Sequence, residues 1–212
     1  MSKPLVIIGN GGLSEEIISW IIDDGFHNDR MIGTFISNDQ KTNEYTTKSI
    51  NYFEDLRALN ERFDYIIAIS KPLVKKKLSK ELNLLGGLPF TFIHKSSTVS
   101  TDAKIEKGVV INPNCSISPK SKIGKFVLIN CNSSIGHDVE IGDNSSLLGS
   151  NTVNGNVIIG RNVVLGSGSI IHPRKKIADN AVVGIGSIVI RDVKQNSSVF
   201  GNPAKQILKI NN

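Results

Sequence analysis

Branched aliphatic residues occupy every sixth position from Val99 to Val189: Val99, Ile105, Ile111, Ile117, Ile123, Ile129, Ile135, Ile141, Leu147, Val153, Ile159, Leu165, Ile171, Ile177, Val183 and Val189. If about a third of residues were branched aliphatics, chance would give such a run with a probability on the order of 10⁻⁸, so this is a structural repeat. A period of six fits neither the 3.6-residue helix nor the two-residue alternation of a half-buried strand. It fits a solenoid whose coil has three flat sides of six residues, one side chain per side pointing to the axis. Val99, Ile117, Ile135, Val153, Ile171 and Val189 then stack along one edge, rungs about 4.8 Å apart, and the run makes about five coils.

The position four residues further on carries the same message. It reads Ala103, Val109, Cys115, Ser121, Val127, Ser133, Val139, Ser145, Asn151, Val157, Val163, Ser169, Lys175, Ala181 and Ser187, nearly all small or valine. Glycine follows the aliphatic at Gly124, Gly136, Gly142, Gly160, Gly166 and Gly184, which we read as tight corners that tolerate no Cβ.

Upstream the pattern changes. Leu5–Ile8 is a short apolar strand, Gly9-Asn10-Gly11-Gly12 a glycine loop, and Ser14–Asp24 a helix with Ile17, Ile18, Ile21 and Ile22 on one face. Met31–Ile36, Tyr65–Ile69 and Phe90–Ile93 read as further strands, with helices over Tyr52–Asn60 and Pro72–Leu85. The alternation predicts a small Rossmann-like parallel sheet with helices on its faces. The chain therefore divides into an α/β domain over 1–93, a parallel β-helix over 94–190 and a tail over 191–212.

Strand, glycine loop and helix in that order make a phosphate-cradling start. A dinucleotide fingerprint requires a third glycine where this chain has Ser14, and a carboxylate closing the second strand where it has Ser37-Asn38, with Asp39 one residue beyond. Hydride transfer is therefore disfavoured, and a nucleotide or sugar ligand over the loop is preferred to a mere tight turn.

Composition narrows the class. The chain has 212 residues, enough core for one large or two small domains without staples, and no uninterrupted apolar run of the ~18 residues a membrane span needs. Cys115 and Cys131 sit in different coils and read as free buried thiols, consistent with a reducing cytoplasm. The net charge of +6 comes from scattered Lys and Arg with few interleaved aromatics, which argues against nucleic acid and suits an anionic small ligand or an acidic membrane surface.

Four histidines are candidates for chemistry. His27 lies in a polar turn, His94 opens the stretch into the β-helix, and His172 precedes Pro173 at a corner. His137 differs, in Ile135-Gly136-His137-Asp138. It falls on the outside of the coil, where prisms packed side by side leave a groove, and the neighbouring carboxylate can fix its tautomer as a general base requires. Gly155, eighteen residues on, stacks one coil above it. No nucleophile is needed, because an amine or hydroxyl can attack a thioester directly. Metal ligation is not expected, since no three histidines fall on matching faces.

After the last repeat comes Gly201-Asn202-Pro203-Ala204-Lys205, similar to a frequent ending of hexapeptide-repeat acyltransferases. Taken with the Gly9–Gly12 loop, the α/β domain, the unbroken repeats and Gly136-His137-Asp138, the chain resembles the sialic acid acetyltransferase-like family, which includes N-acetyltransferases of nucleotide-linked bacillosamine and perosamine precursors. The resemblance implies a left-handed β-helix and a homotrimer binding acetyl-CoA between adjacent β-helices, without a metal. It implies His137 as base and Asp138 as its partner. Coenzyme A contacts are implied at Ser146, Gly155, Ser167, Ile185 and Lys205, with Ser146 in place of a histidine found in some relatives. Acceptor contacts are implied at Asn10, Gly11, Gly12, Leu13, Ser37, Asn38 and Ser70. Relatives that bind uridine nucleotides tend to carry paired acids where this chain has Ser37-Asn38, so the nucleotide base stays open.

The expected function is thus a cytoplasmic acetyl-CoA-dependent N-acetyltransferase for a nucleotide-linked deoxy-amino sugar of bacterial surface glycans. An O-acetyltransferase of sialic acid or a related sugar, and a non-catalytic binding trimer, are the alternatives.

Overall fold

The computed structural model describes residues 3–9, 11–25, 32–35, 48–50, 56 and 62–207. Its first part is a five-stranded parallel sheet of β1 (Leu5–Ile8), β2 (Ile32–Phe35), β3 (Lys48–Ile50), β4 (Asp64–Ile67) and β5 (Leu88–Pro89), ordered β3-β2-β1-β4-β5. The strand over Lys48–Ile50 escapes the sequence reading, because three residues starting with lysine carry no apolar periodicity. The helix expected over Tyr52–Asn60 lies outside the described residues apart from Leu56. Helix α1 (Gly12–Asp23) buries Ile17, Ile18 and Ile21, and helix α2 (Pro72–Leu84) opens with proline, whose missing N–H costs nothing in a first turn.

The strand read over Phe90–Ile93 is corrected by the structure. Leu88–Pro89 pairs with Asp64–Tyr65 at the edge of the first sheet, whereas Phe92–Ile93 pairs with Val110–Ile111 and belongs to the solenoid. The apolar run straddles a junction between two sheets, which periodicity alone does not reveal.

From Phe92 onward short strands, nearly all of two residues and six apart, stack as three sheets of eight, six and five strands, parallel throughout except that the terminal Lys205–Ile207 runs antiparallel to Ser198–Phe200. Partners are eighteen residues apart, as in Ile117↔Ile135 and Ile135↔Val153. The repeated aliphatics form one continuous core, with Ile111, Ile135, Leu147, Leu165, Ile171 and Ile177 fully buried. Alanine at Ile135 removes a side chain with no room to collapse around it, and is expected to cost about 2–5 kcal/mol, read as a lowered denaturation midpoint.

The solenoid has about six turns rather than the five expected, because it extends beyond the run at both ends. Phe92–Ile93 begins it, and after Val189 the chain closes a coil two residues early: Val193 bridges Ile177 and Ser198–Phe200 pairs with Val182–Val183 at a spacing of sixteen. That two-residue deletion throws Val193 and Val199 out of the six-residue phase, though both are buried.

Corner geometry also differs in cause from the expectation. At every sixth residue from Gly108 to Gly186 the backbone is left-handed, and half of these positions are asparagine or aspartate, residues that tolerate this region. The glycines after the aliphatics lie two residues earlier and serve another purpose. A Cβ on Gly136 stands 2.7 Å from the Gly155 nitrogen, and one on Gly166 2.5 Å from the Ile185 nitrogen, so close stacking of the next coil excludes a side chain.

The three faces have separate fates. Outward residues of the eight-stranded sheet, Val110 and Leu128, pack with α1 residues Ile17, Ile18 and Ile21, so this face carries the α/β domain. The five-stranded face presents Lys104, Lys122, Glu140 and Lys176 to solvent, with Lys122 and Glu140 paired at 2.6 Å. The six-stranded face shows Thr98, Ser116, Ser134, Thr152, Ile170 and Ile188, and carries no charge.

Cys115 is buried at an inward position and Cys131 is only half-buried, correcting the expectation of two buried thiols. Among the described residues no helix is long and apolar enough to cross a membrane.

Candidate active site

His137 sits at the corner between the uncharged and the charged face, in the turn after Ser134–Ile135. Its Nδ1–H donates to Asp138 Oδ2 at 2.8 Å. A carboxylate accepts only, so Nδ1 carries the proton of the neutral ring and Nε2 is left with its lone pair. Asp138 occupies the left-handed corner position, with φ of 56°. The imidazole lies over the next coil at Gly155, where a Cβ would stand 2.5 Å from Nε2. The absence of a side chain there gives the ring its seat.

A cavity of about 470 Å³ opens beside this pair, lined by Ser118, Ser134, Thr152, Asn154, Asn156 and Arg174 among others. The lining is neutral and polar, with Arg174 its one permanent charge. Sequence reasoning missed Arg174, Asn154 and Asn156. The eighteen-residue stacking already marked two of them: Asn156 and Arg174 follow Asp138 up one corner, one and two coils above it.

The remaining expected residues are scattered over other surfaces. Ser167 and the exposed Ile185 stack at the preceding corner, a full face away from His137 within one chain. Lys205 is exposed in the terminal strand and lines a different cavity, with Arg191 and Lys194. Ser146 is fully buried beneath α2, where its hydroxyl accepts from Lys75 Nζ at 2.8 Å.

In the α/β domain, Gly11, Gly12, Leu13 and Ser70 gather at the carboxyl end of the sheet. β1 and β4 are neighbours there, at the point where strand order reverses, which is where ligands of open α/β sheets bind. Gly9 packs against Ala68, a Cβ on it standing 2.7 Å from the Ala68 carbonyl, whereas Gly11 and Gly12 face open space. Asn10, Ser37, Asn38 and His27 lie outside the described residues. His94 is buried, with Nδ1 2.8 Å from the Ser96 hydroxyl, and His172 is exposed against the Pro173 carbonyl. No three His, Cys, Asp or Glu side chains come together among the described residues.

The family model described as the PglD N-terminal domain matches residues 4–82. Comparison of the sequence with curated proteins gives no match. Among solved structures, PerB from Caulobacter crescentus in complex with CoA and GDP-perosamine is 25% identical, with 98% of each chain covered and a TM-score of 0.86. A mutant of perosamine N-acetyltransferase from the same organism, with the same two ligands, is 24% identical over 99% of each chain, TM-score 0.90. The acetyltransferase domain of PglB from Neisseria gonorrhoeae FA1090 in complex with acetyl coenzyme A is 20% identical, over 98% of this chain and 100% of that one, TM-score 0.73. The likeness in fold to these structures runs over nearly the whole of each chain.

Proposed function

We propose that the protein is an acetyl-CoA-dependent N-acetyltransferase acting on the amino group of a nucleotide-linked deoxy-amino sugar, of the kind built into bacterial surface glycans. The observation that carries this reading is the His137 ring, its Nδ1–H held by Asp138 and its Nε2 turned over Gly155 beside an open polar cavity. The amine attacks the thioester carbonyl, the new C–N bond forms and the C–S bond breaks. Nε2 takes the proton that the nitrogen loses and returns it to the departing thiolate, so coenzyme A leaves as a thiol. Arg174 supplies a cation for the phosphates that both substrates carry.

The nucleotide end of the acceptor is assigned to Gly11, Gly12, Leu13 and Ser70, with Asn10, Ser37 and Asn38 as further contacts. Glycines facing open space at a strand-order reversal suit a backbone that approaches phosphate closely. Coenzyme A is assigned to Gly155 at one corner and to Ser167 and Ile185 at the other, with Lys205 toward its phosphates. The uncharged face separates these sets within one chain, which supports a homotrimer whose adjacent solenoids close the groove. A cytoplasmic setting is part of the same reading.

The test is thiol release from acetyl-CoA with uridine, thymidine and guanosine diphosphate-linked 4-amino sugars, followed by product analysis. An amide product from one of the three is expected. An ester product would move the assignment to O-acetylation, and binding of acetyl-CoA without turnover of any amine would mark a non-catalytic trimer.

A further inference from the structure

Lys75 has no place in the chemistry above, yet it is 1% exposed at the centre of the contact between the two parts of the chain. It projects from α2 onto the solenoid, where Nζ donates to the Phe126 carbonyl at 2.9 Å, the Ser145 carbonyl at 3.1 Å and the Ser146 hydroxyl at 2.8 Å. Beside it Phe126, at a left-handed corner position that aromatic residues rarely take, stacks on Tyr65 of β4 with centroids 6.3 Å apart and ring planes within 8°.

No carboxylate pairs with Lys75 among the described residues. From β4 the titratable neighbour is Tyr65, whose hydroxyl is turned away toward Asn83 and the Ser79 carbonyl. The solenoid offers two carbonyls and one hydroxyl, and the further lysines of α2, Lys76, Lys77 and Lys80, are exposed, as is Lys71 before it. Burial alone holds the Lys75 amine down to about 7.

An ammonium donates three hydrogen bonds, which the three acceptors take. A neutral amine donates two and accepts one, and of the three partners only the Ser146 hydroxyl can reverse to donate. The cage therefore satisfies the side chain in either state.

We propose that Lys75 is a positioning residue, a clasp that fixes the acceptor-binding domain in register with the catalytic solenoid and that holds whether or not its amine is protonated. The role in turnover rests on the function proposed above, whereas the clasp itself does not, and two measurements separate them. The first follows amide hydrogen exchange of α2 in the full-length wild type between pH 6 and 9, corrected for intrinsic rates. Protection that does not fall above pH 7 is expected, rising by at most about tenfold per pH unit because the opened chain takes up a proton there, and opening of α2 as the pH passes 7 would overturn the clasp even if no acceptor is ever turned over.

The second compares wild type with Lys75→Met, and with Lys75→Gln should the methionine variant not fold. At least a tenfold loss in kcat/KM for the nucleotide-linked sugar is expected, with the KM for acetyl-CoA and the slow turnover of the free amino sugar within about twofold. Equal loss toward linked and free acceptors, or no loss in a folded variant, would overturn the positioning role.

Discussion

Alanine at His137 lowers kcat by about 10²–10⁴-fold in the expected outcome, the range that a positioned general base contributes. The side chain is exposed and makes its hydrogen bond only to Asp138. Removing it therefore leaves the solenoid core untouched, and thermal unfolding should shift by less than about 0.5 kcal/mol, as for other surface positions. The combination is what makes the result informative: a folded protein that binds acetyl-CoA normally and fails in the chemical step. Asp138→Asn gives a second reading of the same pair. An amide in that position no longer compels Nδ1 to carry the proton, so a smaller loss is expected from a mixed tautomer. Turnover of His137→Ala within threefold of wild type would remove the histidine from the mechanism.

Gly155→Ala is the second large effect, and it removes no catalytic atom. The added methyl would lie 2.5 Å from His137 Nε2 and 2.7 Å from Cε1, both at the free end of a side chain that can swing outward. The backbone at Gly155 is not left-handed, so alanine is tolerated there and by reducing the freedom of the unfolded chain contributes about 0.4–1 kcal/mol of stability. Activity and stability are thus expected to move in opposite directions. A displacement of about 1 Å at the base costs on the order of 10²-fold in kcat, while the denaturation midpoint holds or rises. Gly136→Ala should behave differently, because its Cβ meets the backbone nitrogen of Gly155 rather than a mobile ring. A Gly155→Ala enzyme as fast as wild type would show that the ring does not need its seat.

Lys75 gives stability a pH dependence of definite sign. Its folded-state pKa of about 7 lies below the ordinary 10.5, so between these values the unfolded chain binds the extra proton. Stability attributable to this group therefore rises with pH across that window, by at most about 1.4 kcal/mol per pH unit, and is level below it.

Much of the architecture could be read from the chain because a six-residue lattice is rigid. Once Ile135 is assigned to the core, Gly155 must lie one coil above His137, and the structure has it there. What escaped reading was whatever breaks local periodicity. Lys48–Ile50 pairs with Gly33–Phe35 without any apolar alternation of its own, and Val193 stands out of phase by two residues. Lys75 escaped for another reason: on a helix with lysines at 76, 77 and 80 it looks like one more solvated charge, and only the partner surface reveals it as buried. Ser146 was hidden in the same way, its surroundings set by a domain seventy residues earlier in the chain. The pairing of His137 with Asp138 was local and therefore visible; the cation of the cavity, thirty-six residues further along, became visible only through the stacking.

The eighteen-residue spacing between partners also quantises how the protein can change length. Loss of one whole coil moves the upper end down by a rung and leaves every face with its own kind of residue. Loss of six residues keeps the aliphatic core in phase yet rotates everything beyond the deletion by a third of a turn. Lysines then fall on the uncharged face, Ser134 and Thr152 come to the side that carries the α/β domain, and the His137 corner loses the column that supports it. Deletions that keep every later rung on its own face are accordingly multiples of eighteen, save at the last coil, where no later rung remains to be misaligned.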